Sequence, residues 1–319
     1  MTFGWMFPGQ GSQAVGMGKA LYDASPAARE VFQRADAALG EALSSLCFDG
    51  PLETLTLTAN TQPAIVTTSL AVLAALRERR PELPSPVCAA GHSLGEYAAL
   101  VAAGALSLED AVRVCRARGL AMQEAVPAGE GAMAAVMGLA DDVLAAVCNE
   151  AAQGGVVSAA NYNAPGQTVI AGDAAAVERA AALVKERGGK CIPLNVSAPF
   201  HCAKMAPACR PVAEALGRSA LRSPAFDVLA NVDAAPKTDA IAIADALVRQ
   251  VDSPVQWVRT IEAMKARGVT HLLELGPGKV LAGLVKRIDK TLRVVSVSDP
   301  GGIDEAVTLL EQAGLGGGV

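Results

Sequence analysis

The chain has 319 residues, 51% of them hydrophobic and 18% charged, with a formal charge of −5 and 3% aromatics. Its length is about twice that of a typical domain, which predicts one large domain carrying an insertion or two moderate ones, and its composition excludes an intrinsically disordered chain. An acidic balance with so few rings also argues against a nucleic-acid surface, which needs clustered cations and stacking platforms.

The first residues, Met1 to Pro8, show no basic stretch followed by an apolar run and a small-residue cleavage site, so no secretory signal is expected. Apolar runs such as Ala98 to Leu106 are interrupted before the roughly 20 residues that a bilayer requires. A cytoplasmic protein without membrane contact follows as the expectation. Gly4 to Phe7 reads as a strand and Ala27 to Leu39 as a helix; Val87 to Ala90 is the next strand, and a helix begins near Leu94. From about Gly131 the order changes to strand (Ala132 to Met137), helix (Asp141 to Gln153), strand (Val156 to Tyr162), strand (Thr168 to Ala171), helix (Ala174 to Arg187) and strand (Lys190 to Val196). That βαββαβ order is the ferredoxin-like split unit, with Asn163-Ala164-Pro165-Gly166 as its central turn. Strands at Val228 to Asn231, His271 to Leu275 and Arg293 to Val297 follow, and the Gly-rich tail Gly314 to Val319 is expected to be disordered.

The expected fold class is therefore α/β: a large α/β-hydrolase-like body with a mostly parallel sheet (1–126 and 198–319) and a small inserted ferredoxin-like domain (127–197). The cleft between them is the default place for a site. Seven cysteines, widely spaced and without a CxxC pair, predict reduced and mostly buried thiols, with no metal site.

Gly91-His92-Ser93-Leu94-Gly95 is a GxSxG placed between a strand and a helix, the context of a nucleophile elbow. Ser93 is the candidate nucleophile, and the Leu94 amide at the helix N-terminus suits an oxyanion. A serine at neutral pH needs a base, and three histidines are available. His92 adjoins the serine and is expected to point away from it as a packing residue; His271 begins a strand; His201 lies in the loop where the chain returns to the body and is the favoured base. The Gly-rich loop Phe7 to Gln13 follows a strand, and its Gly9, Gly11 and Ala14 satisfy a GxGxxA fingerprint, but the second strand and acidic residue of a dinucleotide site are missing. Its Gln10 amide is the better candidate as second oxyanion donor. Gly276-Pro277-Gly278-Lys279 lacks the spacing of a phosphate loop.

These segments, with Thr61-Gln62-Pro63-Ala64, Gly95-Glu96-Tyr97, Arg118-Gly119, Met122-Gln123-Glu124-Ala125, Asn163-Ala164-Pro165-Gly166-Gln167, Pro199-Phe200-His201, Gln250, Pro254-Val255-Gln256-Trp257 and Glu274-Leu275-Gly276-Pro277-Gly278, form an ordered set spanning the chain. The set resembles the malonyl-CoA:acyl carrier protein transacylases of bacterial fatty acid synthesis. The resemblance implies a malonyl ester on Ser93, His201 as general base, a Gln250 carbonyl orienting that histidine, and the Gln10 and Leu94 amides as oxyanion hole. It also implies that Arg118 grips the malonyl carboxylate, with Gln62, Met122 and Phe200 lining the acyl pocket. On the residues alone Arg113, Arg116 and Arg118 share one basic helix, and only the resemblance singles out the last.

No permanently bound cofactor is implied, only malonyl-CoA as substrate and the phosphopantetheine carried by a holo acyl carrier protein, and the enzyme is expected to be a monomer. An acidic carrier calls for a basic rim, for which Lys190, Lys204, Lys265, Lys279, Lys286 and Arg287 are candidates; Lys204 departs from the family, which commonly has an apolar residue there. Two other functions compete. A serine thioesterase or esterase would want an acid between serine and histidine in chain order, where Asp141, Asp142 and Asp173 stand. A non-catalytic carrier-binding module would not need Ser93 at all.

Overall fold

The computed structural model describes residues 2–196 and 198–312; the tail expected to be disordered lies outside the described residues. The first part of the chain runs β1 (Phe3–Phe7), α1 (Lys19–Ala24), α2 (Pro26–Leu39), α3 (Leu43–Asp49), α4 (Leu52–Thr56), α5 (Thr58–Arg79), β2 (Cys88–Gly91), α6 (Gly95–Ala102) and α7 (Leu108–Glu124). A second part holds β3 (Gly131–Met137), α8 (Asp141–Ala152), β4 (Val157–Ala164), β5 (Gln167–Asp173), α9 (Ala174–Glu186) and β6 (Lys190–Pro193). The third comprises α10 (Ala206–Gly217), β7 (Asp227–Leu229), α11 (Ala240–Asp252), α12 (Trp257–Ala266), β8 (His271–Leu275), α13 (Val280–Ile288), β9 (Arg293–Val297) and α14 (Pro300–Gln312).

Five strands form a parallel sheet in the order β7-β2-β1-β8-β9. Both of its faces are covered, which is why its strands read as nearly continuous apolar runs. The period of two still sorts them: Trp5, Phe7, Ala89, Val228 and Leu273 enter one core, whereas Met6, Cys88, Ala90, Leu229 and Leu272 enter the core on the opposite face.

The antiparallel sheet has the order β4-β5-β3-β6, the ferredoxin-like arrangement expected for βαββαβ. Ala134, Val136 and Ile170 pack with α8 and α9 in a core of their own. The alternate residues Met133, Val169 and Ala171 instead join the main core, so the small sheet is pressed onto the body by its other face.

Several boundaries differ from expectation by one or two residues, among them β7, which spans Asp227–Leu229 instead of Val228–Asn231 and so leaves Asn231 in the loop beyond it, and two further differences shape the small sheet. β4 continues through Ala164, which pairs with Gln167, and the turn shrinks to Pro165-Gly166, with Gly166 at φ 67° supplying the left-handed step. β6 stops at Pro193 instead of Val196: after the Leu194 amide donates to Met133 O (2.9 Å) the chain leaves the ladder, and Leu194 and Val196 turn to the pocket described below.

Among the described residues one helix, α5, is long and apolar enough to cross a membrane by length and composition, contrary to the expectation from its interrupted apolar runs. It is a core helix: from Thr58 to Leu76 nearly every residue is buried, against α2, α6 and α7. All seven cysteines are free thiols, five of them buried.

Candidate active site

Phe7 of β1 pairs with Gly91 of β2, and the His92 amide donates to Phe7 O (3.0 Å), so the loops leaving the two strands lie side by side at the carboxyl end of the sheet. There the chain reverses into α6 within three residues. A Cβ on Gly91 would stand 1.9 Å from the Gly95 backbone, and one on Gly95 would stand 2.3 Å from Phe7 O, so both glycines of GxSxG are dictated by this close approach. Ser93 takes the left-handed conformation, φ 52°, which costs energy for a residue with a Cβ and is held by its surroundings. Asn231, fully buried just beyond β7, is part of that hold: its Nδ2 donates to Gly91 O and its Oδ1 accepts from the Ser93 amide, both at 2.7 Å.

His201 follows the small sheet on a tight turn, itself at φ 60°. The Ser93 hydroxyl donates to His201 Nε2 (2.7 Å), and His201 Nδ1 donates to the main-chain oxygen of Gln250 (2.8 Å). Because a carbonyl only accepts, Nδ1 carries the imidazole proton and Nε2 keeps a lone pair for the serine. Gln250 stands in the last turn of α11, where carbonyls have no intrahelical partner and the helix dipole is negative. The helix end thus occupies the place that a carboxylate takes in a hydrolase triad. Burial, and then the nearby Arg118 charge, push the His201 pKa down to about 3, so the ring is neutral at physiological pH.

Arg118 reaches the same hydroxyl from α7. Ala111, Cys115, Arg118, Gly119 and Met122 recur at helical spacing on the buried face of that helix. Gly119 lets the backbone approach α5, since a Cβ there would meet Thr58 O at 2.6 Å. Arg118 is 1% exposed and pairs with no carboxylate among the described residues. Its guanidinium donates to Gln62 Oε1 (2.7 Å), Gln250 Oε1 (2.8 Å) and Ser93 Oγ (3.0 Å). The other two arginines of the helix turn elsewhere: Arg113 bonds Ala38 O at the surface, and Arg116 bonds Ala59 O and pairs with Glu41.

A pocket of about 110 Å³ unites these groups, lined by Gln10, Gln62, His92, Ser93, Arg118, Met122, Phe200 and His201 together with Met133, Asn161, Leu194 and Val196. Of the residues expected from the sequence, Gln10, Gln62, Ser93, Arg118, Met122, Phe200 and His201 lie on this wall. The buried Leu94 follows Ser93 directly, and its amide, like that of Gln10, has no protein acceptor among the described residues.

His92 departs from expectation in part. Its ring packs on Trp257, with centroids 5.5 Å apart, and stands 2.9 Å by Nε2 from Asn163 Oδ1 of the small sheet, yet the residue also lines the pocket. Burial lowers its pKa. His271 is buried far from the pocket, beside Thr270. Sequence reasoning missed Met133, Asn161, Leu194 and Val196, which no local motif marks, and Glu96 and Asn231, which stand behind the elbow. Among the described residues none of the candidate hydrolase acids Asp141, Asp142 and Asp173 bonds His201 Nδ1, which donates to Gln250 O: Asp141 accepts from Thr168, and Asp173 holds the Val156 amide and pairs with Lys204 (2.7 Å).

The class that this site and fold define is an acyltransferase: a family model described as acyl transferase domain matches residues 4–302. Among relatives, the Escherichia coli K12 malonyl CoA-acyl carrier protein transacylase is 49% identical over 308 residues, covering 96% of this chain and 99% of the relative. A solved acyl carrier protein S-malonyltransferase from Vibrio cholerae superposes with a TM-score of 0.92 at 47% identity, covering 96% of this chain and 100% of that one. A type II PKS acyl-carrier protein solved in complex with its malonyl-transacylase gives 0.94 at 44% identity, covering 97% and 100%. The chain belongs to the malonyl CoA-acyl carrier protein transacylase family.

Proposed function

We propose that this enzyme moves a malonyl group from malonyl-CoA to the phosphopantetheine thiol of a holo acyl carrier protein through a malonyl ester of Ser93. The observation that carries this reading is the convergence of a neutral base and a buried cation on one hydroxyl: His201 Nε2 at 2.7 Å and Arg118 at 3.0 Å from Ser93 Oγ. The bond to the hydroxyl holds Arg118 beside the reacting centre, where a malonyl carboxylate can replace it as a charged, bidentate partner.

In the first half-reaction Ser93 Oγ gives its proton to His201 Nε2 and attacks the thioester carbon. The developing oxyanion is taken by the Gln10 and Leu94 amides. Collapse breaks the carbon–sulfur bond, and the coenzyme A sulfur leaves with the proton from His201. The carrier thiol then gives its proton to His201 and attacks the ester, and Ser93 Oγ recovers the proton as it leaves. Thioester becomes thioester, so the cycle is balanced without a further reactant. Gln62, Met122 and Phe200 shape the acyl end of the pocket.

We take residues 127–197 as the small domain, inserted in a body of 1–126 and 198–319, with the pocket at their junction; its wall has residues from both. The partner is an acidic carrier. Lys190, Lys279 and Lys286 are exposed without an ion pair among the described residues, whereas Lys204 and Lys265 are engaged with Asp173 and Asp289 and Arg287 bonds Gln167, so the first three are the better rim candidates. Seven free thiols suit the reducing cytoplasm.

Intact-mass spectrometry after mixing with malonyl-CoA, followed by holo carrier protein, tests the whole cycle. The expected record is a malonyl adduct on Ser93 that disappears as malonyl-carrier forms. Mainly free malonate would favour the hydrolase reading, and absence of any adduct would overturn covalent transfer.

A further inference from the structure

We infer that Glu96 is a positioning residue for malonyl selectivity, acting through the side-chain amide of Gln250 on the Arg118 guanidinium. An acid in the first turn of a helix ordinarily lies in water and complements the helix dipole. Glu96, in the first turn of α6, is instead 3% exposed and turned beneath the elbow. Its Oε2 accepts from Gln250 Nε2 (2.7 Å) and from the Asn231 amide (2.9 Å).

A carboxamide has a donor end and an acceptor end of nearly the same shape, and only its neighbours decide which way it faces. Burial raises the Glu96 pKa to about 7, but Oε2 already accepts from the Asn231 amide and so faces Gln250 as an acceptor; with Ser93 O at 3.0 Å it admits the NH2 end of that side chain. The amide oxygen is thereby turned onto Arg118. The reverse orientation would set oxygen against carboxylate and NH2 against guanidinium. Arg118 is thus held by the neutral oxygens of Gln62 and Gln250, which aim its charge without cancelling it. Without an acceptor at position 96 only Ser93 O would still hold the NH2 end of Gln250, and one of the two fixed supports of Arg118 would be loosened. The base would survive, because His201 is held by the main-chain oxygen of Gln250, which no side-chain change removes.

This inference rests on the malonyl reading, and the experiment separates the two. kcat/KM is measured for malonyl-CoA and acetyl-CoA with holo carrier protein in the full-length wild type, Glu96→Met, Glu96→Gln, Gln250→Met and the Glu96→Met/Gln250→Met double variant. Loss of a hydrogen bond to a charged group predicts that Glu96→Met lowers the malonyl value about tenfold or more and the acetyl value by less than about threefold. Glu96→Gln, which keeps an acceptor oxygen, restores the malonyl preference. The malonyl-over-acetyl preference of the double variant falls no further than that of Gln250→Met alone, as two residues in one line of action require, because the Asn231 amide that Glu96 also holds bears on both substrates alike. Equal losses for both substrates, or losses of preference that add in the double variant, would overturn the inference. Should Glu96→Met fail to fold by thermal melting, Glu96→Asp, which withdraws the acceptor by one methylene, is held to the same criteria. A wild type without malonyl preference would instead remove the reading beneath the inference.

Discussion

On one wall of the pocket the body presents groups that ionise, donate or accept: Gln10, Gln62, Ser93, Arg118 and His201. On the opposite wall the small sheet and the segment leaving it present Met133, Leu194 and Val196, with Asn161 as the one polar group. The polar wall is cross-tied: Asn231, Gln250 and Glu96 bind the elbow, the arginine and one another over 132 to 157 positions of sequence. The apolar wall is tied to the body by the packing of Met133, Val169 and Ala171 into the main core and by backbone bonds, where the Val255 amide donates to Ala160 O and the Tyr162 amide to Val255 O, both at 2.9 Å. Chemistry is thus assigned to the part that is fixed from several directions, and shape to the part added against it.

Variants on the two walls should differ accordingly in size of effect. Ser93→Ala should give no acyl-enzyme in intact-mass measurement and activity lower by several orders of magnitude, and His201→Ala should nearly abolish acylation in a rapid-quench burst. A burst that survives the loss of His201 would demand another base. Next in size, Arg118→Ala should lower the preference for malonyl over acetyl by roughly 30-fold to several thousand-fold, the equivalent of about 2 to 5 kcal/mol for a buried charge pair. Unchanged selectivity would remove Arg118 from its role.

The pH dependence sharpens the same contrast. The His201 pKa is depressed, so its neutral, competent form persists as pH falls and is lost only through its folded value of about 3, far below an ordinary histidine. The acid limb of kcat/KM should therefore lie well below pH 6.5, the reference value for a free imidazole. Removing the Arg118 charge takes away the second cause of that depression, so Arg118→Ala should move the limb upward; an unmoved limb would mean that burial alone sets it. The smallest effects belong to the apolar wall: Met133→Ala or Val196→Ala should change kcat/KM by less than about tenfold, mostly through KM, with bulkier acyl groups better tolerated.

The same division explains what could be read from the amino-acid order. The strands His271–Leu275 and Arg293–Val297 match the expected limits at both ends, and the βαββαβ order is recovered, because period and turn residues are local signals. Ser93 and the glycines around it are legible for the same reason. Asn231 is not, since it follows a three-residue strand in a loop without a motif, and its role exists only when β7 comes to lie beside β2. Glu96 is within the recognisable segment yet resembles any first-turn acid until the fold buries it. Arg118 is one of three arginines on a helix, and only its burial against the pocket tells it from Arg113 and Arg116.

Holding the imidazole by the end of α11 rather than by an aspartate has an electrical consequence. When the serine gives up its proton, a second positive charge arises next to Arg118, with no carboxylate among the described residues bonded to either. A half-ester of a dicarboxylic acid arrives carrying the missing counter-ion; an acetyl group does not. On this account the cargo completes the machine that moves it, and neutral acyl groups are refused twice, once on docking and again at the instant of proton transfer.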